Sequence, residues 1–172
     1  MLDLLGGVLV IGGMTGFGFL YLEKGQRRVE ELKRLAYLFK LLKSEITFKK
    51  QPLPFACRAS GEKIREREGR ILEAIAGDME EGNGMSFREI WRSRWKEQLQ
   101  LSMLSEYEKN KVLEFSSFVG YEEETLQENM MECQVEEFTL LAEKVRDELE
   151  KKKRVVLLLS SCTGILFVLI LL

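Results

Sequence analysis

Few side chains in this 172-residue sequence have the types and spacing for chemistry of their own. Cys57, Cys133 and Cys162 lie far apart with no C-x-x-C pair, so neither a disulfide framework nor a thiolate metal site is expected. Histidine is absent. That excludes imidazole bases, Ser-His-Asp and Cys-His nucleophile systems and His-containing zinc sites in their usual forms. No G-x-x-x-x-G-K-S/T loop is present to cradle phosphates. Carboxylates are plentiful, but on charged helices they read as solvated faces, and no partner base argues for general acid-base work. Trp91 and Trp95, four residues apart, read as core rather than as a stacking platform. Glu122, Glu123 and Glu124 read as acids favoured at a helix N-terminus. The expectation is a protein with no catalytic residue, cofactor or metal.

The elements that would position any functional surface follow from where the charge lies. Every one of the 26 Lys and Arg residues, and 27 of the 28 Asp and Glu residues, falls within residues 23–154. Residues 1–22 and 155–172 hold one charge, Asp3. Leu4–Leu22 is 19 residues without a charge and Val155–Leu172 is 18; at ~1.5 Å rise each helix is roughly 27 to 29 Å, close to the ~30 Å hydrocarbon core of a bilayer. The first lacks the positive n-region and A-x-A site of a cleaved signal. Lys24, Arg27 and Arg28 follow the first run, and Lys151, Lys152, Lys153 and Arg154 precede the second. Both clusters face the middle, so the positive-inside rule predicts a cytoplasmic middle segment with both termini outside. These cations also suit the anionic lipid of the inner leaflet. Gly12 with Gly16, and Ser160 with Gly164, are small-xxx-small pairs that let two membrane helices pack closely. The expected organisation is an N-terminal transmembrane helix over 1–22, a helical domain over 23–154 and a C-terminal transmembrane helix over 155–172.

The middle predicts an all-α bundle of about six helices, two of them running into the bilayer. Val29, Leu32, Leu35, Ala36, Phe39, Leu42 and Ile46 recur at helical steps. Pro52-Leu53-Pro54 breaks that helix and starts one carrying Phe55, Ala56 and Ala59. Ile71, Leu72, Ile75, Ala76 and Met79 mark another, ending at a Gly82-Asn83-Gly84 loop. Ser86 with Glu89, and Ser105 with Glu108, are capping boxes. They open helices with Phe87, Ile90, Trp91, Trp95 and Leu99, and with Val112, Phe115 and Val119, the latter closed by Gly120. Leu126, Met130, Cys133, Leu141, Val145 and Leu149 predict the stripe of a long last helix. Residues 23–70 carry 14 basic and 7 acidic groups, whereas residues 105–150 carry 4 and 14. Two accounts of this asymmetry stand side by side: mutual neutralisation of the long helices, or an acidic face that selects a basic partner. The near-neutral total, a net charge of −2, predicts no nucleic-acid partner.

The opening LLGGVLVIGGMTGFGFLYLEKGQRRVEELKRLAYLFKLLKSEI, the PLPFA at Pro52–Ala56, the GMSFREIW at Gly84–Trp91 and the closing KKKRVVLLLSSCTGILFVLILL resemble the stage III sporulation protein AB family over essentially the whole chain. Leu32–Gly120 is also similar in layout to the cytoplasmic domain of the platform F protein of type II secretion and type IV pilus machines. The resemblance implies a place in the channel joining mother cell and forespore, in the mother-cell-side membrane. The partners it implies are other sporulation channel proteins: a cytoplasmic secretion-type ATPase and small integral membrane subunits. It implies an adaptor role; the turn positions Pro52, Leu53, Pro54 and the Gly82–Gly84 loop, and the acidic Glu122, Glu123 and Glu124, are the docking points this reading proposes for it. The rival expectation is a platform component of a secretion or pilus machine unrelated to sporulation.

Overall fold

The computed structural model describes residues 2–82, 84–119 and 124–171, with the side chains of 20, 22–82, 84–119, 124–153 and 155. The chain is all-helical: α1 (Leu2–Lys43), a single π turn (Ser44–Phe48), α2 (Leu53–Lys63), α3 (Arg67–Glu80), α4 (Phe87–Gln100), α5 (Glu106–Glu114) with a short 3-10 turn (Phe115–Ser117), and α6 (Glu124–Leu171). It divides into two compact units, Glu30–Ala142 and the paired segments Met1–Val29 and Glu143–Leu172.

The unit Glu30–Ala142 is built around aromatic rings. Phe39 of α1 stands 4.6 Å from Phe115 and 5.0 Å from Phe138 between ring centroids, and Trp91 stands 5.1 Å from Phe115 and 5.6 Å from Trp95. Tilted rings at these separations gain attraction beyond the area they bury. Trp91 is wholly buried and its Nε1 donates to the Val112 carbonyl at 2.9 Å, so the indole is core and its one donor is satisfied. Both capping boxes form, with the Ser86 and Ser105 side chains accepting from the Glu89 and Glu108 amides. Gly82 and Gly84 take φ of 65° and 79°, the left-handed turn geometry that glycine adopts without strain.

α2 and α3 form a hairpin so close that only glycine fits its crossing. A Cβ on Gly69 would lie 1.7 Å from the Ile64 carbonyl oxygen, and one on Gly61 would lie 2.8 Å from the Gly69 oxygen. The buried face of α2 is Ala56, Cys57, Ser60 and Gly61. Phe55, carried on the same helix, is 59% exposed. Small residues line the contact because the α3 backbone comes within reach of the α2 backbone.

The register of α6 also differs from expectation. Met131, Gln134, Phe138 and Ala142 are buried, whereas Leu126, Met130 and Cys133 are exposed. A polar residue occupies a core position here: Gln134 Nε2 donates to the Lys111 carbonyl at 2.8 Å. That bond makes burial of the amide tolerable and hides the true stripe from a reading by hydropathy.

In the other unit, α1 and α6 approach closely at Gly25, where a Cβ would meet the Leu149 side chain at 2.3 Å. This helix pair therefore uses a small residue beside the first basic cluster. Among the described residues no helix is long and apolar enough to cross a membrane. The expected spans over 1–22 and 155–172 fall on side chains that, apart from Leu20, Leu22 and Val155, lie outside the described ones. The same holds for the expected packing positions Gly12, Gly16, Ser160 and Gly164.

Candidate functional site

The most elaborately built surface feature is the corner between α1 and α2. α1 widens at its end into the π turn, and the Lys49 amide donates to the Ser44 carbonyl at 3.2 Å. π turns often mark functional positions because they re-aim side chains within a helix. Here the widened turn swings Glu45 inward until its side chain is fully buried. Its Oε1 accepts from Lys63 Nζ at 2.5 Å and from Lys49 Nζ at 2.9 Å. The hydrogen bond from Lys63 first, and that from Lys49 second, hold the Glu45 carboxyl below the usual carboxylate range. A buried carboxylate without such partners is strongly unfavourable. The ion cluster therefore fixes the end of α2 to the end of α1.

Beyond the π turn, Lys50 takes φ of 52°, an uncommon left-handed conformation for a residue with a side chain. The chain reverses there, and Lys50 Nζ meets Glu124 at 2.5 Å. Pro52 follows in extended geometry as N-cap of α2, with Pro54 in the first turn, where its missing amide hydrogen costs the helix nothing. The Pro-Leu-Pro break thus behaves as expected. On either side of it stand Phe48, 71% exposed, and Phe55, 59% exposed. Phe48 also lines a groove of about 450 Å³ between α1 and α6, with Tyr37, Lys40 and Val135. Two large rings held in water beside a rigid turn are the kind of side chains that anchor protein interfaces.

Two expected docking features are brought together here. Pro52 is exposed, Leu53 and Pro54 are half-buried, and Glu124, at the first turn of α6, reaches the same corner through Lys50. Glu122, Glu123 and Gly120 lie outside the described residues. Lys43 pairs with Glu132 and, at 3.8 Å, with Glu128, so basic α1 and acidic α6 partly neutralise each other. In the basic clusters Arg27 pairs with Glu23 at 2.6 Å, and Lys24, Lys151, Lys152 and Lys153 are exposed. The Arg154 side chain lies outside the described ones. Sequence reasoning missed Glu45, Lys63 and the exposure of both phenylalanines. The i, i+4 spacing of Glu45 and Lys49 was a visible signal, but Lys63 joins them only through the α1–α2 reversal.

Among the described residues no group of three or more His, Cys, Asp or Glu side chains is placed to hold a metal ion. The Cys57 thiol is pushed up to about 12 by burial, far from the reactive thiolate range.

Residues 3–172 match the sequence profile of the stage III sporulation protein AB family. The chain belongs to that family. Its role is accordingly a sporulation-related one, and the family is not a known enzyme family. A solved structure described as stage III sporulation protein AB is similar at a TM-score of 0.65 and 14% identity, covering 72% of this chain and 97% of that chain. At that identity the likeness shows a shared fold. No curated protein sequence matches. For this stage III sporulation protein AB family member, the corner at Phe48–Phe55 is the candidate site.

Proposed function

We propose that the chain is a non-enzymatic membrane adaptor of the channel between mother cell and forespore, coupling a cytoplasmic secretion-type ATPase to membrane-embedded channel parts. The observation that carries the reading is the corner, where exposed Phe48 and Phe55 are mounted on a turn pinned by the buried Glu45 carboxylate. A rigid mount is what a mechanical coupler needs, because an interface on a pliable loop would absorb displacement instead of passing it on. The uncharged runs 4–22 and 155–172, each bordered by cations on its inner side, support a bundle tied to the mother-cell membrane at both ends with its middle in the cytoplasm. The alternative, a platform component of a secretion or pilus machine unrelated to sporulation, is disfavoured by membership of a sporulation family.

Full-length chain with Phe48→Ala and Phe55→Ala, expressed in sporulating cells, tests the reading. Co-purification with the secretion-type ATPase should fall by about tenfold or more, the scale of a hot-spot truncation, and spore yield should fall with it at unchanged protein level. Undiminished co-purification, or normal sporulation of a strain lacking the gene, would overturn it.

A further inference from the structure

On α3 and α4, elements that contribute nothing to the corner's exposed rings, an open cleft of about 650 Å³ carries charge that its own walls leave unneutralised. Arg94 of α4 donates to both oxygens of Asp78 on α3. This two-point bond ties the walls together, and it holds the Asp78 carboxyl below its usual range. Arg67 and Arg70 stand exposed along the α3 wall. Among the described residues neither guanidinium makes a hydrogen bond or an ion pair, although Arg67 acts electrostatically on the Glu31 carboxyl. Glu97 lines the α4 side. Among the lining side chains, three arginines stand against Asp78 and Glu97, an excess of one positive charge, and Glu81 also acts on Arg94 from outside the lining. The rest of the lining is mixed: Ser93 and Gln98 are polar, Ile71 and Ala74 are half-buried, and Met85 and Leu101 are 46% and 64% exposed.

A guanidinium takes a carboxylate through paired hydrogen bonds, while a flexible Met beside a Leu adapts to an incoming apolar side chain. We propose that this cleft binds an acidic amphipathic segment of a partner protein, with its carboxylates on Arg67 and Arg70 and its apolar side chains on Met85 and Leu101. A small inorganic anion would satisfy the arginines but leave Met85 and Leu101 in water. The combination favours a peptide carrying both features.

Full-length chain in detergent micelles, titrated with a short fluorescent peptide of Leu and Glu in helical pattern, tests this by anisotropy. Arg67→Glu with Arg70→Glu should weaken binding by about tenfold or more, and Met85→Ser with Leu101→Ser should weaken it while leaving the arginines in place. Arg88→Glu, an exposed change on α4 outside the cleft, should leave binding within about twofold, which separates a site from general electrostatic attraction. Equal binding of the peptide with Gln in place of Glu would overturn the proposal. So would unchanged binding to the Arg67 and Arg70 variant, or an equal loss in the Arg88 variant. Complete displacement from the native chain by millimolar inorganic phosphate would assign the cleft to a simple anion. Self-association of the chain that the Arg67 and Arg70 changes abolish would assign it to a second copy; either result refutes the partner segment. Each variant is accepted only with unchanged helicity and thermal midpoint.

Discussion

Lys63, the last residue of α2, places its ammonium 2.5 Å from the wholly buried carboxylate of Glu45 in the π turn. The two residues are 18 apart in sequence, and their contact closes the turn that displays Phe48 and Phe55. Lys63→Met should leave Glu45 with Lys49 alone and lower stability by about 1–3 kcal/mol, the cost of leaving a buried acceptor short of a partner. Hydrogen exchange should quicken over 44–55. An unchanged unfolding midpoint and unchanged exchange would show that the contact holds nothing.

The same contact sets a pH dependence. Lys63 and Lys49 hold the Glu45 carboxyl below its ordinary range. Its stabilising contribution is therefore complete above the unfolded carboxylate pKa of about 4.3 and is lost as pH falls through the lower folded value. Chemical unfolding at stepped pH should show native stability dropping below that point more steeply than in Glu45→Gln. Parallel curves for the two proteins would contradict the assignment.

Gly69→Ala is expected to be damaging although it adds one methyl. The new carbon would lie 1.7 Å from the Ile64 carbonyl oxygen and 2.7 Å from that of Gly61, both backbone atoms that cannot rotate away. α2 and α3 must separate, at a cost of about 1–3 kcal/mol or more. Gly77→Ala is the matched control, because nothing lies within 4 Å of a Cβ there; a helix interior should gain slightly from it. Urea unfolding of both variants gives the comparison.

Thiol labelling should separate the cysteines. Cys133 is exposed and Cys57 buried, with the Cys57 thiol pushed up to about 12. In a Cys162→Ser background at neutral pH, a maleimide should modify Cys133 rapidly and Cys57 only after denaturation. Labelling of two thiols at equal rates in the native chain would contradict the α2–α3 packing.

Removing the hydroxyl at Ser105 should cost about 1 kcal/mol, as for other N-cap truncations. Ser105 accepts from the Glu108 amide, and the Glu108 side chain returns to the Ser105 amide at 2.7 Å. Ser105→Ala should lower the thermal midpoint, whereas Ser105→Asp, which preserves an acceptor, should restore most of it.

Much of the helical order was legible in the residues themselves. Pro52-Leu53-Pro54 interrupts a helix wherever it stands, and the Ser86–Glu89 and Ser105–Glu108 boxes form from groups three residues apart. The Trp91 and Trp95 face follows from helical periodicity alone. These features depend on local geometry, and absent histidine and dispersed cysteines limited the chemistry in the same direct way. The folded chain decided what depends on distant partners. Gln134 occupies a core position because the Lys111 carbonyl is there to accept its hydrogen bond, which turned the buried stripe of α6 away from Met130 and Cys133. Phe55 is left in water because the α2–α3 approach admits only small side chains around Gly61 and Gly69. Glu45 is buried because a π turn rotates it inward and Lys63 arrives from another helix to neutralise it. Hydropathy and spacing describe what a residue prefers on its own; burial of a charge, or exposure of a large ring, is set by which atoms the rest of the chain brings beside it.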